Sequence, residues 1–288
     1  MTPSFYRVEP EAPAALALLR IAVAGILVTS PEVWSSMGLE ATTAALRVPP
    51  EGLGWFAAYV PITPGFVNAA RVLVFATALS GLVGFFSRVS FSALAVTSFY
   101  LFGCCELVGA TRHNMHLFWF TALLAASPCG AWWSVDAARG SARDDPSSAT
   151  LAVWMARILF ASVYFFPGFW KLRESGLHWA WSDNLRNQMY WKWYENAWQP
   201  AFRIDLHPAL VRYGAAGVLL LELAFPLLIW SRRGRMVAAL GALSFHLFAD
   251  AFMRLGFSSL WWCYAPLLDM RRLLDWLYET KGDAEPPG

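Results

Sequence analysis

The chain has 288 residues, of which 57% are hydrophobic and 15% are charged. Soluble globular domains carry about 25% charged residues, so this composition is typical of an integral membrane protein and argues against an ordinary soluble enzyme. The formal net charge of +2 provides no basic surface for binding nucleic acid.

Apolar runs of nearly membrane-spanning length recur along the chain. A helix of about 20 apolar residues crosses a bilayer, so the sequence predicts an all-α, polytopic membrane helical bundle with about eight transmembrane helices. We expect one transmembrane domain over residues 1–281 and a disordered tail over 282–288. The predicted spans are about 13–31, 65–86, 89–110, 113–131, 151–172, 209–230, 236–255 and, as a short one, 256–269.

The connection 173–208 is long and rich in tryptophan, a residue that favours the boundary between membrane and water. We therefore expect this connection to be an interfacial loop rather than a separate soluble domain. Its tryptophans are Trp179, Trp181, Trp191, Trp193 and Trp198.

The distribution of arginine and lysine predicts that both termini are cytoplasmic. The long outer connection carries Arg173, Arg186, Lys192 and Arg203, which weakens the contrast between the two sides without reversing it. This orientation brings the ends of the third and fifth spans, the start of the fourth and the outer half of the seventh to one side, the non-cytoplasmic one.

Three ionisable residues lie roughly two turns from the inner ends of their spans, namely Arg20, Arg157 and Glu222. A charge at the centre of a membrane helix costs at least ~2.5–3.5 kcal/mol, so each of these residues needs a partner or a purpose. Their similar depth predicts a structural ion cluster that joins the first, fifth and sixth spans. A role in binding a ligand is the alternative.

A second group of ionisable residues lies near the outer ends of the spans. His246 and Asp250 are four residues apart and share one helical face, so the carboxylate could orient the imidazole. We expect the group to converge on one site. Its members are Glu106, His113, His116, Lys171, His246 and Asp250.

The sequence gives little support for a metal centre. Three histidines and carboxylates at one depth can hold a metal ion, so a histidine-ligated metal oxidase stays open as a hypothesis. The chain contains only five histidines, however, too few for a di-iron centre built on many of them. The cysteines lack CxxC spacing and are expected to be buried apolar residues: Cys104, Cys105, Cys129 and Cys263. We therefore expect no metal.

The stretch YFFPGFWKL, residues 164–172, ends the fifth apolar run with Lys171. Pro167 and Gly168 are predicted to break the helix just before it, and a broken helix beside an ionisable group often marks a site. Arg157, Tyr164 and Lys171 recur at intervals of seven residues and lie on nearly one stripe. A lysine at a helix end commonly extends to the interface, but a buried one would present a neutral amine that can act as a base.

Several motifs, in order along most of the chain, resemble the transmembrane part of vitamin K-dependent gamma-glutamyl carboxylase and its relatives, the horizontally transferred transmembrane (HTTM) domain proteins. The combination is more specific than any single motif. The motifs are LALLRIAVAGIL (16–27), GFFSRVS (84–90), RHNMHLFWFTALLAASPCGAWWSVD (112–136), VYFFPGFWKL (163–172), LLLELAFPLLIWSRR (219–233) and SFHLFADAFMRLGFSS (244–259).

The resemblance implies roles for three residues. Lys171 matches the catalytic base of the family, and His113 and His246 match its functional histidines. In the carboxylase, the lysine is taken to deprotonate a reduced vitamin K, which reacts with O2 to form an epoxide, while a glutamate gains CO2. The implied cofactor is therefore a reduced vitamin K or menaquinone-type hydroquinone, with O2 and CO2 as co-substrates. Residues that could support this site are His116, Asp250, Tyr164 and Glu106.

The resemblance does not extend to the large luminal domain with which the carboxylase recognises its propeptide. The acceptor is therefore expected to be a glutamate, a peptide or a small molecule, and a partner protein is an alternative source of substrate recognition. We expect an enzyme in the inner membrane of a bacterium, with its active site towards the non-cytoplasmic side and with lipid and quinone as partners. A non-catalytic subunit that binds quinone or lipid is the alternative hypothesis.

Overall fold

The chain folds almost entirely into α-helices. The computed structural model describes residues 8–29, 34, 44–107, 114–142 and 145–275, and none of these residues lies in a β-strand. The helices are α1 (Ala12–Thr29), α2 (Gly54–Tyr59), α3 (Pro64–Val83), α4 (Ser87–Glu106), α5 (Met115–Ala126), α6 (Val135–Ala138), α7 (Pro146–Ser175), α8 (His178–Trp181), α9 (Asn184–Glu195), α10 (Pro208–Leu228), α11 (Arg232–Met253) and α12 (Ser258–Trp261).

Six helices within the described ranges are long and apolar enough to cross a membrane: α1, α3, α4, α7, α10 and α11. The predicted span at 113–131 contains α5, whose 12 residues rise about 18 Å, less than the ~30 Å thickness of a bilayer core. The predicted eighth span at 256–269 is not a continuous helix. It contains the four-residue α12 and a 3-10 turn at Ala265–Leu267.

Local sequence signals explain several helix ends. Thr63 caps α3 by accepting a hydrogen bond from the Phe66 amide, and Pro64 follows in the first turn, where its missing N–H is not needed. Gly84 ends the same helix with φ of 69°, a left-handed conformation that glycine adopts without strain. Ser231 caps α11 through the Gly234 amide at 2.9 Å. These residues determine where α3 ends and where both helices begin.

The chain divides into two compact units, and the division falls within α7. The first unit comprises residues 1–156, 262–266 and 270–288, and it contains α1 to α6. Within it, α1 packs on α3, α3 on α4, and α4 on α5. The second unit comprises residues 157–261 and 267–269, and it contains the end of α7 together with α8 to α12.

Arg20, in the middle of α1, is fully buried. Its guanidinium donates to three main-chain carbonyls of the segment that follows α5, those of Cys129 (3.0 Å), Trp132 (3.1 Å) and Trp133 (2.5 Å). A Cβ atom on Gly84 would lie 2.8 Å from Nη1, so only glycine fits against it. Arg20 therefore binds carbonyl oxygens, whereas the sequence predicted a partner among the ionisable residues of an ion cluster.

Asp136 ties the same segment to the start of α4. Its carboxylate accepts hydrogen bonds from the Phe86 amide at 2.9 Å, from the Ser87 amide at 2.8 Å and from Ser87 Oγ at 2.7 Å. Burial alone would raise the pKa of the Asp136 carboxyl, but the donors from Ser87 and Phe86 lower this pKa below its ordinary value. The Asp136 carboxylate thus caps α4 by accepting hydrogen bonds from the amides at its start.

Substituting Arg20→Met is expected to lower the thermal unfolding midpoint of the detergent-solubilised protein. The change leaves the buried Cys129 carbonyl and the part-buried Trp132 and Trp133 carbonyls without their donor, and an unsatisfied buried group costs about 1–3 kcal/mol. Arg88→Met, which removes an exposed arginine from the first turn of α4, is the control and should leave the midpoint almost unchanged. Equal midpoints for the two variants would show that Arg20 does not hold this segment.

Candidate functional site

Helix α7 carries the residues around which the candidate site is built. It runs from Pro146 to Ser175 with Pro167 inside it, so the predicted break at Pro167 and Gly168 is wrong. The proline removes only the hydrogen bond that the Val163 carbonyl would accept. Because the helix continues, Tyr164, Gly168 and Lys171 follow one another at i, i+4 and i+7 and share one face.

Lys171 forms an ion pair with Glu222 of α10. The lysine Nζ donates to Oε1 at 2.5 Å and to Oε2 at 2.8 Å. The side chain of Glu222 is 5% exposed and that of Lys171 is 23% exposed. The Glu222 side chain is thus enclosed, while part of the Lys171 side chain remains exposed.

Two further residues shape the surroundings of this ion pair. The ring of Trp179 lies 4.6 Å from the Lys171 Nζ, within the range of a cation–π contact. A Cβ atom on Gly168 would lie 2.7 Å from the Glu222 Cβ, so the glycine allows α7 and α10 to approach closely at this level. The ammonium group therefore lies between a carboxylate and an indole ring.

A second polar contact is buried between α7 and α11. The Tyr164 hydroxyl and the His246 Nε2 are 2.6 Å apart, and both residues are 3% exposed. The Tyr164 ring stacks on Phe225 of α10, with centroids 4.3 Å apart and planes 8° apart. The imidazole ring of His246 lies against Phe257, with ring centroids 4.6 Å apart. Aromatic rings thus enclose the tyrosine–histidine contact.

The two contacts form neighbouring layers of one helix packing. Tyr164 and Lys171 are seven residues apart on α7, which separates their Cα atoms by about 10 Å along the axis. Glu222 and Phe225 are three residues apart on α10. Glu222 contacts Lys171 and Phe225 contacts Tyr164, so the two helices run in opposite directions at this level. The site therefore has an ionic layer, Lys171 with Glu222, and an aromatic layer below it, Tyr164 with His246 and Phe225.

The family model for the HTTM domain matches residues 8–271. The chain belongs to the HTTM domain family. It is an integral membrane protein related to the vitamin K-dependent carboxylase family. Neither the curated proteins nor the solved structures include a match to it.

The structure corrects two predictions about the partners of the ionisable residues in this HTTM protein. Glu222 pairs with Lys171 of the predicted outer group, and Arg20 binds carbonyls, so these two residues do not form the expected ion cluster. Arg157 is buried, with 3% exposure. Asp250 was expected to orient His246, but it is exposed and its carboxylate contacts no described polar group, whereas Tyr164 binds the imidazole.

The other predicted site residues lie elsewhere in the chain. His116 is buried in α5 with its ring against Phe120, and Glu106 is half-buried at the end of α4, so both belong to the first unit. His113 lies outside the described residues. Within the described ranges, no three His, Cys, Asp or Glu side chains come together as they would to hold a metal ion.

Depth counted from the helix ends assigned Glu222 to the wrong layer. Glu222 lies 14 residues after the start of α10, a rise of about 21 Å, whereas Lys171 is four residues before the end of α7, a rise of about 6 Å. Their contact therefore requires α10 to extend well beyond the end of α7. The contact between Trp179 and Lys171 could not be predicted from the spacing of residues in the sequence, because the two residues lie on different helices.

Substituting Gly168→Ala is expected to lower the unfolding midpoint, because the new methyl group would collide with the Glu222 Cβ at 2.7 Å. Gly214→Ala on α10 is the matched control, since its Cβ meets no atom within 4 Å. An alanine in a helix interior is favoured over glycine by about 0.8–1.0 kcal/mol, so the control should be neutral or stabilising. Thermal unfolding in detergent measures both variants, and a Gly168→Ala protein as stable as the control would rule out the close approach.

Proposed function

We propose that this protein is a membrane enzyme in which Lys171 takes a proton from a reduced vitamin K or menaquinone-type hydroquinone. The observation that carries the proposal is the Lys171–Glu222 ion pair, in which the Glu222 side chain is 5% exposed and the Lys171 side chain is 23% exposed. An ionisable group held within a membrane helix is costly and commonly functional. The exposed part of the Lys171 side chain is where a substrate hydroxyl would approach.

Glu222 gives the amine a reason to accept a proton in an apolar setting. In the ion pair the Lys171 amine is protonated, so it would act as a base only after its proton has passed to solvent, and the pair would then carry one negative charge. A proton moving from a hydroxyl to Nζ makes the pair neutral overall, and the carboxylate then stabilises the new ammonium group through both oxygens. Lys171 thus serves as the base and Glu222 as its counter-ion.

The residues around the amine suit a flat aromatic ligand with a weakly acidic hydroxyl. The indole of Trp179 lies 4.6 Å from Nζ and, at 7% exposure, forms an apolar wall beside the base. Lipid-soluble ligands of this class reach such a site from the bilayer. Recognition would combine one hydrogen bond to Nζ with ring contacts, as is usual in small-molecule sites.

The Tyr164–His246 contact would support the site from the layer below. The phenol and the imidazole share one hydrogen bond at 2.6 Å in a buried setting, and both groups can donate and accept a proton. Stacking of Tyr164 on Phe225 fixes the phenol on the same two helices that carry the ion pair. We therefore assign His246 and Tyr164 to proton handling, with Lys171 as the first acceptor.

When bound, a hydroquinone of this class would be oxidised by O2 to the quinone epoxide and water, and this oxidation would supply the strong base for carboxylation. The acceptor of CO2 in this proposal is a glutamate or a small molecule, and a partner protein is a further candidate for delivering it. The site would open on the non-cytoplasmic side of a bacterial plasma membrane, which the distribution of arginine and lysine supports.

Purified protein incubated with reduced menaquinone and O2 is expected to form the quinone epoxide, measured by mass spectrometry. Lys171→Met should lower the rate by about 100-fold or more, because general-base catalysis typically contributes 10²–10⁴-fold. The control is Lys192→Met, which removes a lysine on α9 that pairs with Glu195. If the wild type binds the quinone but forms no epoxide, the protein is a quinone-binding subunit instead.

Glu222→Gln is expected to reduce kcat by about tenfold or more while KM changes little, because the new ammonium loses its counter-ion but the ring contacts remain. Glu222→Asp keeps the charge and should recover part of the rate. Glu174→Gln, at the exposed end of α7, is the control. If the Glu222→Gln enzyme had the kcat of the wild type, the ion pair would have a structural role and no role in catalysis.

A further inference from the structure

The segment between α7 and α10, residues 176–207, has one face packed on the protein. The side chains of α8 and α9 that point inwards meet the first turns of α10 and the end of α11. The buried residues of this core include Trp179, Leu185, Met189, Trp193, Val211, Ala215, Leu219 and Met253. The indole N–H of Trp193 also donates to the Phe252 carbonyl at 2.6 Å. This packing fixes α9 against membrane-spanning helices.

The opposite face of the segment presents aromatic side chains. Asn187, Trp191 and Tyr194 follow at i, i+4 and i+7 on α9, so they share the outer face of this helix. Trp191 is 66% exposed and Tyr194 is 83% exposed. An exposed group of large aromatic side chains is a surface that something covers.

A second aromatic contact joins this segment to the outer surface of α10. Trp181 of α8 makes an edge-to-face contact with Tyr213, with ring centroids 5.6 Å apart. Both rings are largely exposed, Trp181 at 47% and Tyr213 at 68%. Because α10 is long and apolar enough to cross a membrane, its outer surface faces lipid, and the aromatic surface of α8 continues it. We call Trp181, Trp191, Tyr194 and Tyr213 the aromatic face.

The charges of this connection neutralise one another. Residues 173–207 contain four arginines and lysines and four aspartates and glutamates. Each basic residue has an acidic neighbour in the same stretch. The four ion pairs are Arg173–Glu174 (3.7 Å), Arg186–Asp183 (2.9 Å), Lys192–Glu195 (2.6 Å) and Arg203–Asp205 (2.8 Å). The charges within the segment therefore sum to zero. Two arginines of the neighbouring helices also contact it: Arg212 shares Asp183 at 3.8 Å, and Arg254 lies 4.5 Å from the centre of the Trp198 ring.

We propose that the aromatic face seats the segment in the boundary between headgroups and acyl chains, as an anchor that binds zwitterionic lipid. Tryptophan and tyrosine favour this boundary because their rings are apolar and their N–H or O–H groups are polar. Basic membrane-binding helices gain affinity from anionic lipid, but here each basic residue of the segment itself already has an acidic partner. The anchor should therefore work without anionic lipid, and it does not depend on the proposed enzymatic function.

The anchor also bears on the ion pair, because the segment that carries the aromatic face also carries Trp179. Helix α8 contains both Trp181, which is exposed, and Trp179, which is buried against the Lys171 Nζ. A lipid contact that holds α8 in place also holds this indole beside the amine.

Site-directed spin labelling tests the anchor in the intact protein. The native cysteines lie buried, in the described structure, so a maleimide nitroxide should label the single new cysteine in Trp191→Cys, Tyr194→Cys or Asn187→Cys. Asn187→Cys removes no aromatic ring and keeps the test valid if the other variants fail to fold. Ser147→Cys, exposed at the start of α7, is the control for an aqueous position. The labelled proteins are reconstituted into phosphatidylcholine vesicles, with and without phosphatidylglycerol.

The depth of each label is measured from its relaxation by two reagents. O2 concentrates in lipid, whereas a neutral nickel chelate stays in water. The expected result on α9 is a ratio of O2 to chelate accessibility severalfold above that at Ser147→Cys, and equal in the two kinds of vesicle. If labels on α9 were highly accessible to the nickel chelate, the proposal would be overturned, and the aromatic face would be a binding surface for a soluble partner. Low accessibility to both reagents would also overturn it and indicate contact with a second copy. A high ratio only with phosphatidylglycerol would refute the neutral anchor.

Discussion

The ion pair between Lys171 and Glu222 is the contact on which the architecture of the second unit depends. Two opposite charges within membrane helices are tolerated because each satisfies the other, and removing either would leave a charge in an apolar setting. The pair requires α7 and α10 to approach closely, which Gly168 allows. It also requires α10 to extend beyond the end of α7, and α8 and α9 pack against that extension. One electrostatic requirement thus accounts for a glycine, an offset between helices and a long connecting segment.

The same arrangement separates two kinds of chemistry along one helix face. The ionic layer contains a primary amine on a side chain that is 23% exposed, and the aromatic layer contains a phenol and an imidazole joined by a buried hydrogen bond. A base needs access to its substrate, whereas a hydrogen bond that holds an imidazole in place benefits from enclosure. The distribution of exposure between the layers therefore favours Lys171 as the group that meets the substrate, with His246 and Tyr164 acting behind it.

The two units manage their buried charges differently. In the second unit, the buried carboxylate of Glu222 meets the ammonium of Lys171. In the first, Arg20 donates through Nη1 and Nη2 to three carbonyl oxygens of a turn, and Asp136 accepts from the amides that begin α4. Main-chain carbonyls and amides do not gain or lose a proton near neutral pH, so the arrangement around Arg20 has no evident use in proton transfer. An amine beside a carboxylate can exchange one, which is why the proposed chemistry lies with Lys171.

The sequence by itself determined that this is a helical membrane protein, since long apolar runs can satisfy their backbone groups in lipid only as helices. Its ordered motifs also indicated the family, which the match over residues 8–271 confirms. Periodicity correctly put Tyr164 and Lys171 on one face, because both lie on one helix. It could not predict that Pro167 sits within a continuous helix, that Glu222 pairs with Lys171, or that Tyr164 rather than Asp250 meets His246. Those contacts join different helices, and the offset and rotation of one helix against another are decided by packing, which leaves no periodic signal in the chain.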